Sequence, residues 1–166
     1  MPEEDPAQGD DRNGSSDAAK QAAYRILSHR DRTSREMAAK LKAKDFSDSV
    51  ILKVITFLQE IGALNDLRFA RQWARSRTEY RHFGPVRLRQ ELLEKGVSAT
   101  EADAALDQLS EEHDPVQSAE AALRRRFKDP ALLEDPAVQR RALAFLQRKG
   151  FAAETILKVL RKKGTP

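Results

Sequence analysis

The side chains best placed to do chemistry in this sequence are basic. One stretch carries Arg68, Arg71, Arg75, Arg77 and Arg81, and Arg87 and Arg89 follow it after a break at Phe83-Gly84-Pro85. On a helix, Arg68, Arg71 and Arg75 share one face, and Arg77 and Arg81 are i, i+4 neighbours on another. A second cluster is Arg124-Arg125-Arg126. Each arginine taken singly reads as a solvated charge, but the set reads as a binding surface. Guanidinium groups in such rows contact phosphates, giving affinity that falls with salt and carries no base specificity.

Other constellations are weaker. Trp73, Tyr24 and Phe127 could stack on bases, yet they stand 21 to 23 residues ahead of three matched turns, which points to core anchors. His29 and His82 lie near helix ends and His113 among acids, and no pair has metal-ligand spacing. There is no cysteine, which excludes disulfides, thiolate nucleophiles and zinc-cysteine sites. No Gly-rich phosphate loop, nucleophile elbow or paired carboxylates stand out. The expectation is a protein with no catalytic residues, no metal and no cofactor.

The elements that position these residues follow from a phrase written three times: Lys44-Asp45-Phe46, Lys95-Gly96-Val97 and Lys149-Gly150-Phe151. Four positions before each turn residue stand Leu41, Leu92 and Leu146, and eight before stand Met37, Leu88 and Ala142. After the turn, Ile51, Ala102 and Ile156 begin a second apolar stripe that continues through Val54, Ala105 and Val159 to Ile55, Leu106 and Leu160. Both stripes have helical spacing. A further helix precedes each pair, so the unit has three helices. A helix pair with a glycine turn also describes a helix-turn-helix, but three copies in a row are explained by packing alone.

Turn residues recur at intervals of 51 and 54, somewhat above the roughly 40 to 47 of HEAT and armadillo units. With 34% charged residues, 6% aromatics and a mean hydropathy of −0.66, the core is thin for the length. The predicted fold is all-α: three tandem three-helix repeats in an elongated, curved, solenoid-like array. The boundaries are a disordered acidic tail over 1–17 and repeats over 18–62, 63–113 and 114–166. The first twenty residues hold six acids and two bases, leaving a distinctly basic body suited to an anionic partner. No apolar run approaches the ~18 to 20 residues of a membrane span, so a cytoplasmic monomer is expected.

The stretch Asp66-Leu67-Arg68-Phe69-Ala70, then Ser76-Arg77, Phe83-Gly84-Pro85, Arg87-Leu88, Glu91-Leu92 and Lys95-Gly96-Val97 resembles the central signature of the RecX family of bacterial regulatory proteins. The resemblance extends from about Ala22 to Leu160, taking in Ser34-Arg35-Glu36 and Phe145-Leu146. It implies a protein that binds the RecA recombinase filament and inhibits its ATPase, strand-exchange and coprotease activities, in the filament groove or by blocking extension. Some members also bind DNA, so single- or double-stranded DNA is a second partner to consider. A general DNA-binding helical protein that acts by competing for DNA is the alternative. The candidate contact set is Asp66, Arg68, Arg71, Arg75, Arg77, Arg81, Arg87, Lys95, Arg124 and Arg125. Two departures from the family pattern stand out: Asp45 replaces the glycine of the first turn, and Asn65-Asp66-Leu67 is less acidic than the corresponding run in relatives.

Overall fold

In the computed structural model, residues 10–128 and 134–163 are described, and among them there are nine helices and no strand. In chain order these are α1 Asp10–Leu27, α2 Ser34–Lys42, α3 Asp48–Glu60, α4 Asp66–Arg81, α5 Pro85–Glu94, α6 Ala99–Glu112, α7 Pro115–Arg126, α8 Pro136–Lys149 and α9 Ala153–Lys163. The chain is all-α, in threes, as its periodicity predicts.

Helix starts are written in short polar side chains that accept the first orphan amides. Thr33 Oγ1 accepts from Glu36 N–H at 3.1 Å, Asn65 Oδ1 from Arg68 N–H at 2.8 Å and Ser98 Oγ from Glu101 N–H at 3.2 Å. Ser98 and Glu101 complete a reciprocal capping box. Asp114 and Asp135 cap α7 and α8, each followed by proline in the first helical turn. Helix α1 begins at Asp10, ahead of the Ala18 expected from the sequence, so the segment 10–17 assigned to the acidic tail is helical. The rest of that tail, residues 1–9, lies outside the described residues.

The three turns adopt the left-handed conformation that their phrase requires, with φ of 64° at Asp45, 89° at Gly96 and 84° at Gly150. Glycine enters this region without steric cost, and Asp is one of the few other residues that tolerate it. Met37, Leu88 and Ala142, together with Leu41, Leu92 and Leu146, are all fully buried. Ile51, Ala102 and Ile156 and the Val54, Ala105 and Val159 row are buried too, whereas Ile55, Leu106 and Leu160 are half-buried.

The chain divides into two compact units. One takes in the chain up to Phe69 together with Lys95–Val97, and its core joins Ala19 and Ala23 of α1, Met37 and Leu41 of α2, and Ile51, Val54 and Leu58 of α3. The other takes in Ala70–Glu94 and the chain from Ser98 onward. Within it, Ala74, Leu88 and Leu109 form one cluster, and Ala119, Leu123, Val138, Leu146, Phe151 and Val159 lie in another.

The aromatic anchors expected from repeat position are corrected. Tyr24 is 45% exposed, and Trp73 and Phe127 are half-buried. The buried seam runs instead through alanine: Ala19 and Ala23, Ala70 and Ala74, and Ala119 and Ala122. Small side chains let helix backbones approach closely, which pushes the adjacent rings to the margin of the core. Trp73 lies there with its indole N–H donated to Glu91 Oε2 at 3.1 Å and the Arg77 guanidinium 4.2 Å over its ring. Trp73→Ala should therefore cost about 1 to 3 kcal/mol, below the roughly 3 to 5 kcal/mol of a fully buried Trp. A thermal melt decides: a loss at the fully buried level would return Trp73 to the core.

Candidate functional site

The candidate residues sort by whether the protein itself occupies them. Asp66, in the first turn of α4, accepts from both the backbone N–H (2.8 Å) and the hydroxyl (3.1 Å) of Ser34, tying α4 to the start of α2. Arg68 donates to the Gly62 carbonyl at 3.0 Å, capping the end of the α3 turn. Arg75 pairs with Glu112. Arg77 lies 3.6 Å from Glu91, and Arg87 donates to the same carboxylate at 3.2 Å while stacking 3.8 Å over the Phe83 ring. Arg124 has Glu120 one turn back at 3.8 Å. Most of the arginine rows thus cross-link helices.

Lys95 belongs to a compact polar knot. Its carbonyl accepts from Thr33 Oγ1 at 2.6 Å, and its ammonium lies 3.4 Å from Glu36, which also receives Arg30 at 2.9 Å. Burial raises the Glu36 pKa, but hydrogen bonding and charge from Arg30 and then Lys95 outweigh it and hold the carboxyl below the ordinary 4.5. A depressed folded pKa stabilises above the unfolded value and is lost as pH falls through the folded one. Glu36→Gln should therefore lower stability at neutral pH and flatten its decline below about pH 4.5. Parallel wild-type and variant melts from neutral to acid pH check this, and curves that remain a constant distance apart would contradict it.

Three candidates differ. Arg71, Arg81 and Arg125 are exposed, and no side-chain partner meets their guanidinium groups among the described residues. Arg81 and Arg125 are brought together: the end of α4, α7 and the end of α8 enclose a cleft of about 320 Å³ lined by Arg81, His82, Arg125, Arg126, Phe145 and Lys149, with Tyr80 and Ala122 completing it. Lys149 donates to the Arg81 carbonyl at 2.6 Å. Burial, then the charges of Arg87, Arg125 and Arg81, push its pKa below the usual lysine value. His82 is pushed down likewise, by burial and then by Lys149 and Arg125. His82 also sits at a positive φ of 50°, a region uncommon outside glycine though tolerated by His.

Three family models match the chain in order: the first three-helix domain of RecX over residues 19–58, the second over 65–106 and the third over 112–160. The chain belongs to the RecX family. Among its relatives, the regulatory protein RecX of Halorhodospira halophila is 40% identical over 146 residues, covering 85% of each chain. That of Prosthecochloris aestuarii is 37% identical over 139 residues, covering 83% of this chain and 88% of the relative. The crystal structure of RecX from Lactobacillus salivarius superposes with a TM-score of 0.78 at 22% identity, over 91% of this chain and 97% of that one. A second RecX crystal structure gives 0.79 at 23% identity, over 95% and 79%. At that identity the two structures speak for the fold.

Within this RecX fold, sequence reasoning missed Lys149 and His82 as members of a basic site. Lys149 was visible only as the lysine of the third turn, and His82 only as a helix-end residue. Among the described residues no group of His, Asp or Glu is arranged to hold a metal ion, and no helix is long and apolar enough to cross a membrane.

Proposed function

We propose that this RecX-family chain is a non-enzymatic regulator that binds the RecA recombinase filament stoichiometrically and slows its ATPase and strand exchange. The carrying observation is the match of all three RecX domains in order, with relatives named regulatory protein RecX over most of their length. The charge distribution supports the reading. Arg71, Arg81 and Arg125 are exposed cations with no internal pairing among the described residues, available to acidic filament surface or to the DNA within it. Arg68, Arg75, Arg77, Arg87 and Arg124, already occupied internally, contribute by shaping the surface that presents them. Binding that obstructs subunit interfaces slows ATP turnover without any chemistry by this chain.

The test is RecA ATPase on saturating single-stranded DNA as the protein is titrated. Inhibition below one protein per RecA that extra DNA does not relieve is the expected result. Unchanged ATPase at stoichiometric excess sinks the proposal. Inhibition abolished by extra DNA would replace it with simple competition for DNA, whose affinity would fall steeply with salt.

A further inference from the structure

The two glycine turns are preceded by lysines in opposite electrostatic settings. In the first unit Lys95 stands against Glu36, which lies nine residues ahead of turn residue Asp45. At the same register ahead of Gly96 the residue is Arg87, and among the charges around Lys149 Arg87 acts most strongly on it. An acid that neutralises a turn lysine in one unit is thus replaced by a base that repels one in the other.

The cleft around Lys149 compounds this. Arg81, Arg125, Arg126 and Lys149 line one concavity with His82, and no carboxylate is among the lining residues. Acids on the neighbouring helices are engaged elsewhere: Glu79 lies 3.8 Å from His113, Glu91 holds Arg77 and Arg87, and Glu120 holds Arg124. Among the described residues, the partners of the Lys149 ammonium are the Arg81 carbonyl and the rings of Phe83 and Phe145, at 5.0 and 5.5 Å, and Arg126 lies 5.9 Å over Phe127. Confined like charges repel more strongly beside a low-dielectric wall than in water. Their arrangement is destabilising for the empty protein and favourable for a multivalent anion.

The geometry points to a phosphate-binding site in the cleft between the end of α4, α7 and α8, with Arg81, Arg125 and Arg126 as guanidinium donors and Lys149 as a point charge. Planar guanidinium forks and an ammonium are the usual complement of phosphate oxygens. At about 30 Å³ per water, a cleft of about 320 Å³ holds several phosphate groups, whereas a single carboxylate would leave most of the charge unanswered. Tyr80, 71% exposed, supplies an aromatic face at the rim for a base attached to those phosphates. Phosphate of this kind comes either from a free nucleotide or from a nucleic-acid backbone.

Calorimetric titration of the full chain distinguishes the sources, with adenosine triphosphate as one probe and a short oligothymidylate as the other, and no recombinase present. The result therefore stands apart from the regulatory reading. The double variant R81Q/R125Q is compared with K40Q/K53Q, which removes the same net charge from exposed side chains outside the cleft. At least one probe is expected to bind, and to lose affinity at least about tenfold in R81Q/R125Q but less than about twofold in K40Q/K53Q. Loss with the triphosphate assigns a free-nucleotide source, and loss with the oligonucleotide alone assigns a strand. Failure of both probes to bind, or equal losses in the two variants, overturns the site. Neither Arg81 nor Arg125 has a side-chain partner to lose among the described residues, so both variants should melt as the wild type does.

Discussion

Gly84→Ala should be among the most damaging single-methyl changes in the protein, costing about 3 kcal/mol or more. Gly84 is buried, and a Cβ built on it would lie 2.3 Å from the Gly150 carbonyl oxygen and 2.6 Å from the Phe151 nitrogen. Both obstacles are backbone, so no rotamer change relieves them. The same approach carries two backbone hydrogen bonds, Gly84 N–H to the Lys149 carbonyl at 2.7 Å and Val86 N–H to the Gly150 carbonyl at 3.1 Å. Parting the two segments of this contact loses both. The melting temperature should fall by roughly 10 °C, given about 2 to 4 °C per kcal/mol at this chain length. Gly62→Ala is the matched control: Gly62 has a positive φ of 69° but nothing within 4 Å of its Cβ position, so its cost is about 1 kcal/mol of backbone strain. If the two variants melt together, crowding at Gly84 is not what holds this contact.

That contact shows where sequence reading succeeds and where it stops. The turns at Asp45, Gly96 and Gly150 were legible because a left-handed residue between two helical stripes leaves its mark within twenty residues of chain. The buried rows at four and eight positions before each turn were legible for the same reason. Gly84 was readable only as a helix break before Pro85, because its crowding comes from a turn 66 residues later. Tyr24, Trp73 and Phe127 misled because their matched repeat positions suggested burial, while the seam holds small residues such as Ala23 and Ala74 beside the first two.

The candidate site divides the same way. The clusters containing Arg81 and Arg125 could be picked out as helical charges, but their meeting in one cleft depends on how α4, α7 and α8 pack. Nor does spacing along one helix show that Arg75 reaches Glu112 or that Arg77 and Arg87 share Glu91. The sequence identified cations; packing separated those that brace the fold from those that face an anion.

The repeat itself makes the second large prediction. Leu41 and Leu146 occupy the same position before their turns and are both fully buried, so a model based on sequence position alone would assign them equal weight. Their surroundings differ. Leu146 lies in a cluster with Ala119, Ala122 and Ala142, where alanine methyl groups attached to helix backbone cannot move into a void. Leu41 shares its cluster with Ala19 and Ala23 too, but also with Met37, an unbranched side chain able to turn into vacated space. Leu-to-Ala costs span about 2 to 5 kcal/mol according to how far the site collapses. Leu146→Ala should fall near the upper end, and Leu41→Ala at least about 1 kcal/mol below it. Denaturant unfolding of both variants, with the slope checked for two-state behaviour, supplies the comparison. Equal costs would mean that Met37 is as fixed as the alanine seam and that repeat position, rather than local composition, sets the strength of each core.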